Sequence, residues 1–140
     1  MLQELFAPLL VQVGLTFVLL TATAFARVGA SRRGEVKLKD IALSSDAYPR
    51  QARQVANSYA NQFELPILFY LAIVLALLTR SGGWPMPLLA WAFVASRLAH
   101  AFIHVTTNNV IRRFYAFSVG VVVLAAMWIL LAVRLLGASG

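Results

Sequence analysis

The residues able to do chemistry fall into two spaced sets and one outlier. Arg53, Asn57, Asn61 and Glu64 are separated by four, four and three positions. On a helix, with about 100° per residue, that spacing gathers them within about 80° of one face. Arg97, His100 and His104 follow at spacings of three and four, within about 60° of one another. Arg113 stands further on. One carboxylate cannot balance three or four arginines. A pairing of Glu64 with Arg97 or Arg113 would give a structural ion-pair network, but the surplus positive charge suits an anionic guest. Guanidinium groups grip carboxylates in bidentate fashion, which makes a polar, acidic ligand the natural complement. Competing chemistries are thinner. His100 and His104 at i and i+4, with Glu64 as a third ligand, could hold a metal, yet no HExxH pattern or second carboxylate accompanies them. A proton relay through Glu64 and the histidines would ordinarily need more spans. Ser96 has no acid near the histidines with which to build a hydrolytic triad.

The elements that must position these residues are dictated by composition. The chain has 140 residues, 61% apolar and 12% charged, with a mean hydropathy of +0.79. A soluble domain is usually about 45–50% apolar and about 25% charged, so the chain reads as one integral membrane domain, all-α, spanning residues 1–140. There is no cysteine, which excludes disulfides, thiolate metal sites and a cysteine nucleophile. Any thiol chemistry must come with the substrate.

A spanning helix needs roughly 20 apolar residues. The first block runs from about Leu5 to Ala26. Gln3 and Glu4, rather than basic residues, precede it, and it is too long for a signal-peptide core. A polar loop follows over about 27–46, and Asp46 with Pro49 reads as a helix start. The second helix is expected from about Ala47 to Thr79, with the span itself at about 60–79 and its first turns projecting. Pro66 cannot donate to the carbonyl of Gln62, so the helix should bend or loosen beside Glu64. Arg80-Ser81-Gly82-Gly83 is a tight break before a third span over about 85–105, opened by Trp84-Pro85-Met86-Pro87. The fourth covers about 113–136. Thr16, Thr21 and Thr23 read as packing groups between helices.

Positive charge sets the expected orientation. Twelve Lys and Arg face five Asp and Glu. Arg27, Arg32, Arg33, Lys37, Lys39, Arg50 and Arg53 flank the first loop, and Arg112 and Arg113 the third, while the opposite side has only Arg80 and Arg134. The positive-inside rule then puts both termini outside and the first and third loops in the cytoplasm. The same distribution explains the basic excess without nucleic acid, since the loop lacks the aromatic interleaving of a single-strand binder.

The motifs also resemble those of a known family. Asn61-Gln62-Phe63-Glu64 is similar to the N-x-x-E segment of the MAPEG family (membrane-associated proteins in eicosanoid and glutathione metabolism). Arg97-Leu98-Ala99-His100 resembles its R-x-x-H segment, and Arg113 falls where the family carries an arginine at the start of its fourth helix. The resemblance, to a bacterial-type member, covers nearly the whole chain. It implies a four-helix subunit assembling as a homotrimer in the inner membrane, with glutathione bound between subunits near the cytoplasmic side. Carried over by position, Asn61, Glu64, Arg97, His100 and Arg113 would bind the tripeptide, with Arg113 nearest its sulfur as the catalytic group. The family pattern is altered at three places. Asn57 stands where arginine is common, with Arg53 one turn earlier. His104 replaces a tyrosine, and Phe117 replaces an aromatic alcohol for which Tyr115 or Tyr59 could substitute. The expected function is that of a glutathione-dependent membrane enzyme, of transferase, peroxidase or isomerase type, activating the thiol for attack on a lipophilic small molecule. The alternative is a non-catalytic protein binding a membrane lipid or partner protein through the same cleft.

Overall fold

The computed structural model describes residues 3–81 and 83–137; Gly82 of the expected tight break lies outside them. Five α-helices follow one another: α1 (Phe6–Arg32), α2 (Arg50–Ala60), α3 (Leu65–Thr79), α4 (Pro85–Val105) and α5 (Val110–Gly137), with short 3-10 turns at Gln3–Leu5, Leu38–Ile41 and Asn61–Phe63. No strand occurs among the described residues. Because α2 and α3 run on through the turn between them, the chain presents four helical spans long and apolar enough to cross a membrane: Gln3–Arg32, Arg50–Thr79, Pro85–Val105 and Val110–Gly137. The fold is an all-α bundle of an integral, multi-pass membrane protein.

Three boundaries differ from the sequence reading, each for a local reason. First, α1 continues past Ala26 to Arg32. It stops where Gly34, at φ +72°, lets Gly34 N–H reach Ser31 O and Glu35 N–H reach Ala30 O. That is the left-handed glycine cap that satisfies the last carbonyls of a helix. Arg27 and Arg32 therefore sit on a helix end rather than in a loop. Second, α5 begins at Val110, ahead of Arg113, because the Asn109 side chain accepts the Arg112 N–H at 3.0 Å, an N-cap bond.

The third difference matters most. The second helix starts at Arg50 and breaks at Asn61–Phe63, with Glu64 at φ −100°, ψ −106° and Pro66 within the first two positions of α3. Proline is tolerated in a first turn, where its missing N–H has no partner to lose. The expected loosening beside Glu64 is thus a replacement of α-helix by a 3-10 turn and one non-helical residue within a continuous span.

Away from this break the bundle is filled by apolar side chains. Phe69 of α3 stacks on Phe93 of α4 with centroids 4.6 Å apart, and Ile73, Met86, Leu124, Met127 and Leu131 complete a buried cluster. The threonine hydroxyls of α1 make no hydrogen bond to another helix, although Thr23 is buried and lines a cavity shared with α2. Thr16, Thr21 and Thr23 donate to the carbonyls of Gln12, Phe17 and Leu19 in their own helix, the back-bonding that hides a hydroxyl in an apolar setting.

Candidate functional site

The break between α2 and α3 gathers the polar groups. With the backbone turned out of helical geometry, Asn61 offers both its carbonyl and its side chain to α4. The Arg97 guanidinium donates from Nη2 to Asn61 O at 3.3 Å, and Asn61 Nδ2 lies 3.3 Å from His104 Nδ1. With the amide donating, the His104 ring proton belongs on Nε2. From α2, Gln54 donates to the His104 carbonyl at 2.6 Å, tying the end of α4 to the same level. Arg113, from the first turn of α5, donates to Asn108 Oδ1 at 2.7 Å. Asn108 has φ +50°, a left-handed backbone that asparagine tolerates better than most residues.

Arg97 is the largest fully buried side chain. Its Nε and Nη1 have no hydrogen-bond partner, and its guanidinium lies 5.9 Å from the Phe117 ring centroid. A buried charge normally demands pairing. The direct ion pairs weighed from sequence do not form: Glu64 is exposed and acts on Arg97 only at longer range, whereas Arg33 and Glu35 do pair at the surface. His100, buried against the Phe117 ring at 6.0 Å, also leaves Nδ1 without a partner. No group of three or more His, Cys, Asp or Glu side chains converges among the described residues.

Three adjoining cavities open around these groups. One, of about 330 Å³, is lined by Asn57, Ala60, Asn61, Glu64, His104 and Arg113. A second, of about 260 Å³, shares Asn61 and Arg113 and adds His100, Val110, Phe114 and Phe117. The third, of about 430 Å³, shares Asn57 and Ala60 and extends to Arg27, Asp46, Arg50, Arg53 and Asn108. The structure therefore brings Asn57, Asn61, Glu64, His104 and Arg113 to one cleft, with His100 and Arg53 on its two sides and Arg97 beneath Asn61. Tyr115 does not join them; it lines none of these cavities, is 65% exposed, and contacts Phe114.

Three residues escaped the sequence reading. Gln12 of α1 and Gln62 of the 3-10 turn are buried and joined by a 2.9 Å bond from Gln12 Nε2 to Gln62 Oε1, while Gln62 Nε2 donates to Ser58 O at 3.1 Å. This pair pins the break against α1 and so fixes the register of Asn61. The available signal was a lone carboxamide in the apolar run of α1. Arg27 is the third: it reaches the cleft because α1 is longer than expected, and its guanidinium stacks 5.2 Å from the Tyr48 ring centroid.

No curated protein and no solved structure matches the chain. The profile of the MAPEG family does, over residues 5–133, a stretch that reaches into all four spans and takes in the interrupted second helix and every residue of the cleft. By that match the chain belongs to the MAPEG family.

Proposed function

We propose that the protein binds glutathione at the polar end of its bundle and offers the thiol, as thiolate, to a lipophilic electrophile arriving from the bilayer. The observation carrying this reading is the charge around the three cavities: Arg27, Arg50, Arg53 and Arg113 face only Asp46 and Glu64. Glutathione has two carboxylates, one ammonium group and a thiol. The arginines suit the carboxylates, Glu64 suits the ammonium, and the amides of Asn57 and Asn61 suit the peptide groups. The donor set fits the tripeptide.

Arg113 is the residue assigned to the sulfur. A free thiol has a pKa of about 8.5, so only a few per cent is thiolate at neutral pH. A guanidinium within reach favours the anion, and lowering the pKa by one unit corresponds to about 1.4 kcal/mol. Beside Arg113, the side chains of Val110, Phe114 and Phe117 form an apolar wall. Val110 and Phe114 are exposed, which supports lateral entry of a greasy molecule to the same spot. The protein's contribution would be proximity and electrostatics rather than a nucleophile of its own. Family membership supports a homotrimer, which a native mass of three subunits tests. The basic residues around the first loop support a cytoplasmic location for the cleft, which membrane-impermeant labelling of Ser44→Cys tests.

The discriminating experiment is thiolate absorbance in the ultraviolet on detergent-solubilised protein with millimolar glutathione, followed by turnover of a model electrophile. Binding with thiolate formation, and loss of turnover in Arg113→Ala, is the expected result. No binding would favour the non-catalytic alternative. Binding with turnover unchanged in Arg113→Ala would remove Arg113 from its role.

A further inference from the structure

We propose that the end of α1 and the loop after it form an interfacial seat for an anionic phospholipid, next to the cleft but with its own basic and apolar residues. A cavity of about 450 Å³ lies between them, lined by Val28, Ser31 and Arg32 of α1 and by Leu38 and Ile41 of the loop, and bounded toward the cleft by Arg27, which lines both. Arg32 shares its lining with apolar side chains, and Lys37 and Lys39 flank Leu38 in the chain. The outer face of α1 is apolar up to Phe25 and Val28, which are 75% and 49% exposed, and apolar surface resumes at Leu38 and Leu43, 77% and 102% exposed. In water such leucines have nothing to gain. Beside a hydrocarbon boundary they continue the lipid-facing surface of the helix.

The charges at that level are unbalanced. Arg32, Lys37 and Lys39 are exposed and make no ion pair with any described residue, whereas Glu35 is held by Arg33 through two bonds of 2.7 and 3.1 Å. Asp40, exposed in the same loop, offsets one of these three charges and leaves two in excess, while Asp46, bonded to Ser44 at 2.6 Å, lines the cleft instead. Cations above an apolar tier match a molecule with a negative headgroup and an acyl chain, and each basic residue near a charged membrane surface adds to such attraction. A free phosphate would leave the apolar tier unused. The seat therefore takes an anionic glycerophospholipid, with the headgroup on Arg32, Lys37 and Lys39 and the chain over Val28 and Leu38.

The lack of native cysteine makes a direct test available. Full-length Leu43→Cys protein, carrying a fluorophore at that position, is reconstituted into phosphatidylcholine vesicles doped with spin-labelled phosphatidylglycerol or spin-labelled phosphatidylcholine at equal mole fraction. The expected result is several-fold stronger quenching by the anionic lipid. That preference should shrink with each charge removed in the series Arg32→Gln, Lys37→Gln and Lys39→Gln and reach equal quenching by the two lipids in the triple variant, while glutathione binding in the cleft stays unchanged. Equal quenching by both lipids overturns the proposal, as does a preference that survives the triple substitution. Abolition of the preference by inorganic phosphate would make the site one for free anions, and quenching that disappears as the protein-to-lipid ratio rises would give the face to a second copy. Either result also overturns it.

Discussion

The two ends of the bundle are built on opposite rules. Around Phe69 and Phe93, buried space is filled with apolar side chains packed in register. Around Asn61 and Arg97 it is filled with polar groups that satisfy one another only in part. Gln12 Oε1, Arg27 Nε, Ser58 Oγ, Arg97 Nε and Nη1, and His100 Nδ1 are all buried without partners, while among the described residues the apolar end has only Trp128 Nε1 in that condition. Each unsatisfied buried polar group costs about 1–3 kcal/mol. Several in one place mark a region that is not packed as a core. One end supplies the stability on which the other end draws.

That contrast can be broken most forcefully at the apolar end. Phe69→Ala removes a fully buried ring from the α3–α4 stack and is expected to cost about 3–5 kcal/mol, the range for phenylalanine deletions in packed cores. Thermal unfolding in detergent measures it, and glutathione affinity in the fraction that stays folded should be unchanged. The complementary substitution is Arg97→Met. Replacing a buried, poorly paired charge by an apolar residue of similar volume is often neutral, or stabilising by about 1–4 kcal/mol. Tm should therefore hold or rise while glutathione affinity falls tenfold or more. A fall in both would mean that Arg97 is structural after all.

The Gln12–Gln62 pair sharpens the comparison because it lies where the two ends meet. Gln12→Leu leaves Gln62 Oε1 without its donor and should cost about 1–3 kcal/mol, whereas Gln12→Leu with Gln62→Leu should recover most of that loss. A double-mutant cycle on Tm isolates the coupling. If the pair also sets the register of Asn61, the double variant will regain stability without regaining full glutathione affinity. The smallest effect is expected at Glu35. The hydrogen bond from Arg33 holds its carboxyl below the usual glutamate range, yet both groups lie in solvent and such pairs contribute little. Because the folded value is the lower one, the contribution is present above the ordinary glutamate pKa and fades as pH falls through the lowered value. Glu35→Gln should leave Tm unchanged at neutral pH, in a melting series run from neutral to acid.

The spans were legible in the sequence because apolar runs of about 20 residues have few other uses. The polar face of α4 was legible too, since Arg97, His100 and His104 sit at helical spacing and the helix is uninterrupted. The break at Asn61–Phe63 was legible only in part. Pro66 signals a missing donor, but the place where the backbone turns is set by Gln62 meeting Gln12, a partner 50 residues away. No local pattern encodes that contact. Caps were the other blind spot: Gly34 and Asn109 move the ends of α1 and α5 by several residues. Those moves bring Arg27 to the cleft and seat Arg113 within the first turn of a helix.

The central claim is that the arginine-rich lining of the cleft suits a doubly carboxylated thiol. Titration calorimetry of the detergent-solubilised protein with glutathione and with its diethyl ester, which keeps the thiol and amine but blocks both carboxylates, tests it most directly. The account predicts saturable binding of glutathione and at least tenfold weaker binding of the ester. Equal affinity for the two, or no heat from either, would contradict it.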